Sequence, residues 1–160
     1  LGAAHARGCD AVLTFGALGS NHALATALYG AKAGFRFELV LLPQPVTANV
    51  RRNLLATYNT GARLRFAPSK LHEAAMAATA ELAPRLSGRA PLYRIAPGGS
   101  SPVGTLGYVS AALEMARQVR DCELPEPGAI LVALGSNGTM ARLVAGMRLA
   151  GMDTGGLAFR

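Results

Sequence analysis

Short apolar runs alternate along the chain with longer segments whose apolar residues recur every three to four positions. The short runs predict β-strands over residues 11–15, 37–42, 62–67, 92–96 and 129–134. The longer segments predict helices over residues 21–33, from Thr47 or Asn49 to 58, 69–86, from 103 or 105 to 119, and 140–150. This order predicts a three-layer, doubly wound α/β fold with a mainly parallel sheet.

The apolar positions also predict which helix faces point inward. In the helix over residues 21–33 the predicted inward line is Leu24, Leu28 and Ala31. In the helix over residues 69–86 it consists of Leu71, Ala75, Ala78 and Leu82. Arginines alternate with apolar residues over 62–67, which indicates a strand with one exposed face or a strand at a sheet edge.

One five-residue turn sequence occurs twice. Ala-Leu-Gly-Ser-Asn stands at residues 17–21 and again at residues 133–137, each time between an apolar run and a helical pattern. Because a helix N-terminus carries unpaired N–H groups and the positive end of the helix dipole, both turns are candidate anion sites. A third turn, rich in glycine and serine, spans residues 98–102. All three follow predicted strands, where ligands bind in such sheets, yet each also fits an ordinary turn with a capping Ser or Asn.

Composition narrows the classes of function. A hydrophobic content of 51% with 16% charged residues is typical of a folded α/β protein. The net charge of +7 comes from arginines spread along the chain, so we expect no nucleic-acid partner. No apolar run approaches the length that spans a bilayer, so we expect no membrane partner. Cys9 and Cys122 each stand alone, which predicts free thiols, no metal site and a cytoplasmic location.

The sequence lacks the motifs of two common enzyme classes. The Gly-x-Ser-x-Gly motif is absent, and none of the three histidines has an evident orienting acid, which argues against a serine hydrolase. The glycine spacing Gly16-x-x-Gly19 differs from the dinucleotide fingerprint, and no carboxylate ends the second predicted strand. This argues against a Rossmann dehydrogenase.

The order of the motifs resembles that of the pyridoxal-phosphate (PLP)-dependent enzymes with the tryptophan-synthase-β-like fold, known as fold type II. Within them it is similar to the group of 1-aminocyclopropane-1-carboxylate (ACC) deaminase and D-cysteine desulfhydrase. The matching segments are residues 14–22, 53–62, 97–109 and 135–139. The resemblance implies PLP as cofactor, a small amino acid as substrate and a homodimer as the whole protein.

The resemblance also implies roles for residues of the three turns. Ser20 contacts the substrate carboxylate and, as in the deaminase branch, acts as a catalytic nucleophile. Asn21 binds the phenolic oxygen of PLP, and His22 is similar to the residue of the desulfhydrase branch. The implied substrate-binding residues are Ser20, Asn21, His22, Gly98 and Gly99. The implied phosphate-binding residues are Gly135, Ser136, Asn137, Gly138 and Thr139.

The family's domain organisation implies that residues 1–105 form a small α/β domain and residues 106–160 part of a large cofactor-binding domain. The family attaches PLP through a Schiff-base lysine on the helix before the first strand, and neither Lys32 nor Lys70 matches that position. We therefore expect the lysine upstream of Leu1, and we expect the chain to be an internal fragment that is inactive alone.

Two functions stay open at this point. The resemblance implies a PLP-dependent lyase or deaminase that yields an α-keto acid and ammonia, by D-cysteine desulfhydrase-like β-elimination or by ACC deamination. The alternative is a non-catalytic α/β module that binds a phosphorylated or carboxylate ligand and needs no lysine. Serine/threonine dehydratases and cysteine synthases share the fold, but the triplet Ser20-Asn21-His22 argues against them.

Overall fold

The computed structural model describes residues 1–88, 90–133, 137–152 and 155–159 of the chain. It divides into two compact units, Leu1–Gly99 and Ser100–Arg160. None of the helices within the described residues combines the length and the apolar character needed to cross a bilayer.

The first unit is a parallel sheet with helices between its strands. The strands are β1 (Ala11–Ala17), β2 (Arg36–Leu42), β3 (Arg63–Phe66) and β4 (Leu92–Arg94). The helices are α1 (Gly2–Ala6), α2 (Asn21–Lys32), α3 (Ala48–Asn59) and α4 (Lys70–Leu86), and a 3₁₀ turn covers Pro97–Gly99. The sheet order is β3-β2-β1-β4 and every pair is parallel. Of the two possibilities predicted for β3, one exposed face or a sheet edge, the structure shows the edge.

Both faces of this sheet are covered. Successive side chains of a strand point to opposite faces, and β1 accordingly sends Val12 towards α1 and α2 but Leu13 and Phe15 towards α4. Leu39 of β2 lies on the first face and Val40 on the second. The unit therefore has the three predicted layers, with β1 and β2 at its centre.

The predicted inward faces of two helices are wrong. Helix α2 buries Ala23, Ala27 and Gly30, a line one residue out of step with the predicted one, and Leu28 is 43% exposed. Helix α4 buries Ala77 and Ala80, while its predicted inward residues Leu71 and Leu82 are exposed. The sheet side chains beneath these helices are large, so small residues let each helix approach closely.

Gly30 shows how close that approach is. An added Cβ at Gly30 would lie 1.7 Å from Cζ of Phe37. The ring of Phe37 is itself packed edge-on against Phe35, with centroids 6.4 Å apart. The aromatic residue at the start of β2 therefore occupies the space that a side chain at position 30 would need.

The second unit holds the remaining elements. They are α5 (Leu106–Arg120), β5 (Ala129–Ala133), α6 (Gly138–Leu149) and β6 (Gly155–Phe159). The two strands pair in parallel, and α5 packs against α6 through Ala112, Leu143 and Met147. Gly146 permits this contact, since a Cβ there would lie 2.6 Å from that of Ala112.

Candidate functional site

The turn after β1 folds back over the end of its own strand. Ser20 caps α2: its Oγ accepts a hydrogen bond from the backbone N–H of Ala23 at 3.2 Å. An added Cβ at Gly16 would lie 2.7 Å from both Cβ and Oγ of Ser20, so glycine is required where the serine crosses the strand. The N–H groups of Asn21 and His22, in the first turn of the helix, have no partner within it. These two N–H groups and the Ser20 hydroxyl form a donor set at the carboxyl end of β1.

Asn53 of α3 holds this turn from the side. Its Nδ2 donates to the carbonyl oxygen of Gly19 at 3.0 Å and to Oδ1 of Asn21 at 2.7 Å, which uses both amide protons. The N–H of Gly19 donates to Oε1 of Gln44 at 3.3 Å. Because the Asn21 oxygen is already an acceptor, its own amide NH₂ is the group left to donate to a ligand.

His22 is anchored to the strand beneath it. Its Nε2 lies 3.0 Å from Oγ1 of Thr14, and that hydroxyl donates to the carbonyl oxygen of Ile95 at 3.1 Å. Thr14 is fully buried. Burial of the imidazole lowers the pKa of His22 below its ordinary value of 6.5.

The 3₁₀ turn that follows β4 also lies beside His22, at the carboxyl end of β1. Gly98 and Gly99 both have positive φ, 65° and 69°, which glycine adopts without strain. An added Cβ at Gly99 would lie 3.5 Å from Cε1 and 3.7 Å from Nδ1 of His22. The structure therefore brings the predicted residues Ser20, Asn21, His22 and Gly99 to one end of β1.

The second repeated turn belongs to the other unit. Asn137 caps α6 in the left-handed conformation, with φ 62°, and Gly138 and Thr139 form the start of that helix. Among the described residues no side chain caps this helix end. Gly135 and Ser136, which were predicted with them, lie outside the described residues.

A cavity of about 380 Å³ lies at the N-terminus of α6 and contains two residues that sequence reasoning missed. They are Thr105 and Arg142, and Nε of Arg142 donates to Oγ1 of Thr105 at 3.3 Å. Arg142 follows Gly138 by four residues, and this helical spacing puts it on the same face as the first turn. A guanidinium beside unpaired helix N–H groups suits an anion such as a phosphate.

A larger cavity, of about 680 Å³, lies at the amino ends of the strands of the first sheet and carries no comparable donor set. Its lining includes the first residue of each strand and the ion pair Arg65–Glu38, with an N···O distance of 2.6 Å. Arg36, also in the lining, pairs with Asp10 outside it at 2.7 Å. We therefore place the candidate site at the turns, because the unpaired donors are there.

The two lysines stand away from the turn after β1. Lys32 ends α2, at the other end of that helix, with its ammonium 6.0 Å from the ring centroid of Tyr29. Lys70 begins α4 after the edge strand β3, which β2 separates from β1. Across the described part of the chain, no cluster of His, Cys, Asp and Glu could hold a metal ion.

Comparisons with known proteins agree with one another. A family model described as "Pyridoxal-phosphate dependent enzyme" matches residues 1–156. Nocardicin C-9' epimerase from Nocardia uniformis subsp. tsuyamanensis is 40% identical over 160 residues, which cover 95% of this chain and 46% of that protein. D-cysteine desulfhydrase from Klebsiella pneumoniae (strain 342) is 38% identical over 88% of this chain and 43% of the relative.

A solved structure supports the same relationship. The crystal structure of an ACC deaminase homologue matches with a TM-score of 0.78 at 34% identity, over 98% of this chain and 47% of that one. This likeness confirms the predicted α/β fold of type II. The chain spans about half the length of the curated relatives it matches.

Proposed function

Because the chain belongs to the family of pyridoxal-phosphate-dependent enzymes, we propose that the whole protein is a PLP-dependent lyase or deaminase acting on a small amino acid. When bound, PLP serves as an electron sink for bonds broken at the substrate's α-carbon. Two relatives support the substrate class, since one is named a D-cysteine desulfhydrase and a similar structure an ACC deaminase homologue.

The donor set at the start of α2 carries the proposal. Ser20 Oγ already accepts from Ala23, so its hydroxyl proton is free to donate. Together with the N–H groups of Asn21 and His22 it presents three donors at the positive end of a helix, a suitable site for the substrate carboxylate. In this proposal Ser20 also acts as the nucleophile when ACC is the substrate.

Two groups of residues would hold the cofactor. The amide NH₂ of Asn21, oriented by Asn53, suits the phenolic oxygen of PLP as a hydrogen-bond acceptor. The start of α6 suits the cofactor phosphate, with Asn137, Gly138 and Thr139 as described donors and Gly135 and Ser136 as further predicted ones. Arg142 adds a positive charge beside that turn.

The reaction and the assembly follow from the same proposal. With one water consumed in each case, D-cysteine would give pyruvate, ammonia and hydrogen sulfide, whereas ACC would give 2-oxobutanoate and ammonia. The epimerase relative favours a second candidate, inversion of a stereocentre with no keto acid formed. The homodimer, the cytoplasmic location and the division into a small domain over 1–105 and part of a large domain over 106–160 stay predictions.

The experiment assays the whole protein with PLP. D-cysteine, L-cysteine and ACC are each supplied, and keto acid, ammonia and sulfide are measured together with the chirality of the remaining substrate. Keto acid and ammonia in equal amounts support the proposal. Inversion without keto acid favours the epimerase class, and tight binding of PLP or phosphate without any turnover favours the non-catalytic module.

A further inference from the structure

Thr14 is buried within β1, yet its hydroxyl connects two separate parts of the candidate site. Oγ1 lies 3.1 Å from the carbonyl oxygen of Ile95, just before the 3₁₀ turn, and 3.0 Å from Nε2 of His22. It therefore links the strand, the turn at Gly98–Gly99 and the first turn of α2.

The single hydroxyl proton decides how this link is made. A carbonyl oxygen can only accept, so the proton of Thr14 points to Ile95. Pointing it at His22 instead would leave two oxygens facing each other at 3.1 Å without a proton between them. The Thr14 oxygen is therefore an acceptor towards His22, and Nε2 of His22 must carry the proton.

The other ring nitrogen then has a different role. A neutral imidazole with a proton on Nε2 has a lone pair on Nδ1. Nδ1 lies beside Gly99, and no residue described in Leu1–Gly99 makes a hydrogen bond to it. Burial is the cause that shifts the pKa of His22, and no described charged side chain opposes it, so the ring is neutral at neutral pH.

We infer that Thr14 is a positioning residue that holds His22 in the Nε2–H form, so that Nδ1 accepts a hydrogen bond from a proton donor of the amino-acid substrate. The inference rests on the proposed function for the identity of the ligand. The tautomer itself depends only on Thr14, His22 and Ile95, so it can be measured without substrate or turnover.

The experiment uses the whole protein labelled with ¹⁵N-histidine, with the His22 signal assigned by its loss in His22→Gln. At neutral pH we expect a proton on Nε2 that exchanges slowly with water, and an unprotonated Nδ1. Thr14→Val should speed exchange of that proton about tenfold, as expected for loss of one hydrogen bond. Thr14→Ser, which keeps the hydroxyl, should restore the slow exchange of the Nε2 proton.

A matched control separates this effect from general loosening of the fold. Thr79→Val makes the same change at a threonine of α4, whose hydroxyl donates to the carbonyl oxygen of Met76 at 2.9 Å, and should leave the His22 spectrum unchanged. A wild-type proton on Nδ1, or a Thr14→Val spectrum equal to wild type, overturns the inference. Absence of turnover with the expected tautomer contradicts the proposed function instead.

The kinetic measurement then tests the contact with substrate. If Nδ1 accepts from the substrate, Thr14→Val should lower kcat/KM about tenfold, Thr14→Ser should restore it and Thr79→Val should not change it. Turnover that is unchanged by loss of the Thr14 hydroxyl would overturn the substrate contact, even where the tautomer is as expected.

Discussion

Nδ2 of Asn53 lies 2.7 Å from Oδ1 of Asn21 and 3.0 Å from the carbonyl oxygen of Gly19, so one side chain of α3 holds the turn at the end of β1. The two asparagines are 32 residues apart in the chain. This contact determines which end of the Asn21 amide faces a ligand, and it makes the geometry of the turn depend on the packing of α3.

Replacing Asn53 should therefore loosen the turn. Asn53→Ala leaves two acceptors without their donor, and we expect the free energy of unfolding to fall by about 1–2 kcal/mol and the affinity for PLP to fall as well. Denaturant titration and cofactor titration of the whole protein measure the two effects. Asn49→Ala is the control, because Asn49 is an exposed residue of the same helix whose side chain contacts only Arg52 among the described residues. Equal losses in both variants would contradict the role of Asn53.

Ser20→Ala should separate a structural effect from a functional one. Because Ser20 caps α2, its loss should cost about 1 kcal/mol of stability. Ser69 caps α4 in the same way, accepting from the N–H of His72 at 3.5 Å, so Ser69→Ala should have a similar cost. We expect a sharp loss of turnover in Ser20→Ala alone, with PLP still bound, as measured by keto-acid release and cofactor titration. Turnover that survives in Ser20→Ala would refute its proposed role.

Stability should depend on pH through His22. The folded state lowers the pKa of His22, so below about 6.5 the unfolded chain binds more protons than the folded one. The free energy of unfolding should then decrease as the pH falls through 6.5 towards the lowered pKa, and the histidine should have no effect well above 6.5. Denaturant titrations at several pH values across this range should show that the free energy of unfolding depends less steeply on pH in His22→Gln than in the wild type. A pH dependence unchanged in His22→Gln would contradict burial as the cause of the lowered pKa.

The starts of α2, α3 and α4 were predictable because their chemistry is local. Ser20, Thr47 and Ser69 each accept a hydrogen bond from a backbone N–H three residues ahead, so a short stretch of sequence is sufficient to locate the cap. The strands β1, β2 and β5 were predictable for a related reason, since each is an apolar run between turn residues. The turns were identified as candidate sites by their repeated sequence, although the ligand that they bind is still a prediction.

The inward face of α2, the bond of Thr14 and the place of Arg142 were not predictable, because they depend on contacts between distant residues. Periodicity predicts that α2 has an apolar face, but Leu24–Leu28 and Ala23–Ala27 have the same spacing, and only the size of the sheet residues beneath decides between them. The bond of Thr14 to Ile95 spans 81 residues, so no local pattern indicates it. Arg142 is detectable only once α6 is known to begin at Gly138.

The close packing of α2 gives a stability prediction in which the same substitution has opposite signs at two sites. Gly30→Ala gains helix propensity but places Cβ within the ring of Phe37, so we expect the free energy of unfolding to fall by about 1–2 kcal/mol. Gly107→Ala, in α5, meets no atom within 4 Å and should raise it by up to ~1 kcal/mol. Denaturant titration measures both.

A second substitution tests the cause of the loss at position 30. Phe37→Leu removes the atoms that the methyl group introduced by Gly30→Ala would meet, so the double variant should lose less stability than the two single losses added together. Additive losses would mean that Gly30 is needed for its backbone and not for the space that Phe37 occupies. Because α2 also carries the candidate donor set at its other end, a helix displaced by Gly30→Ala should weaken substrate binding too, whereas Gly107→Ala should not.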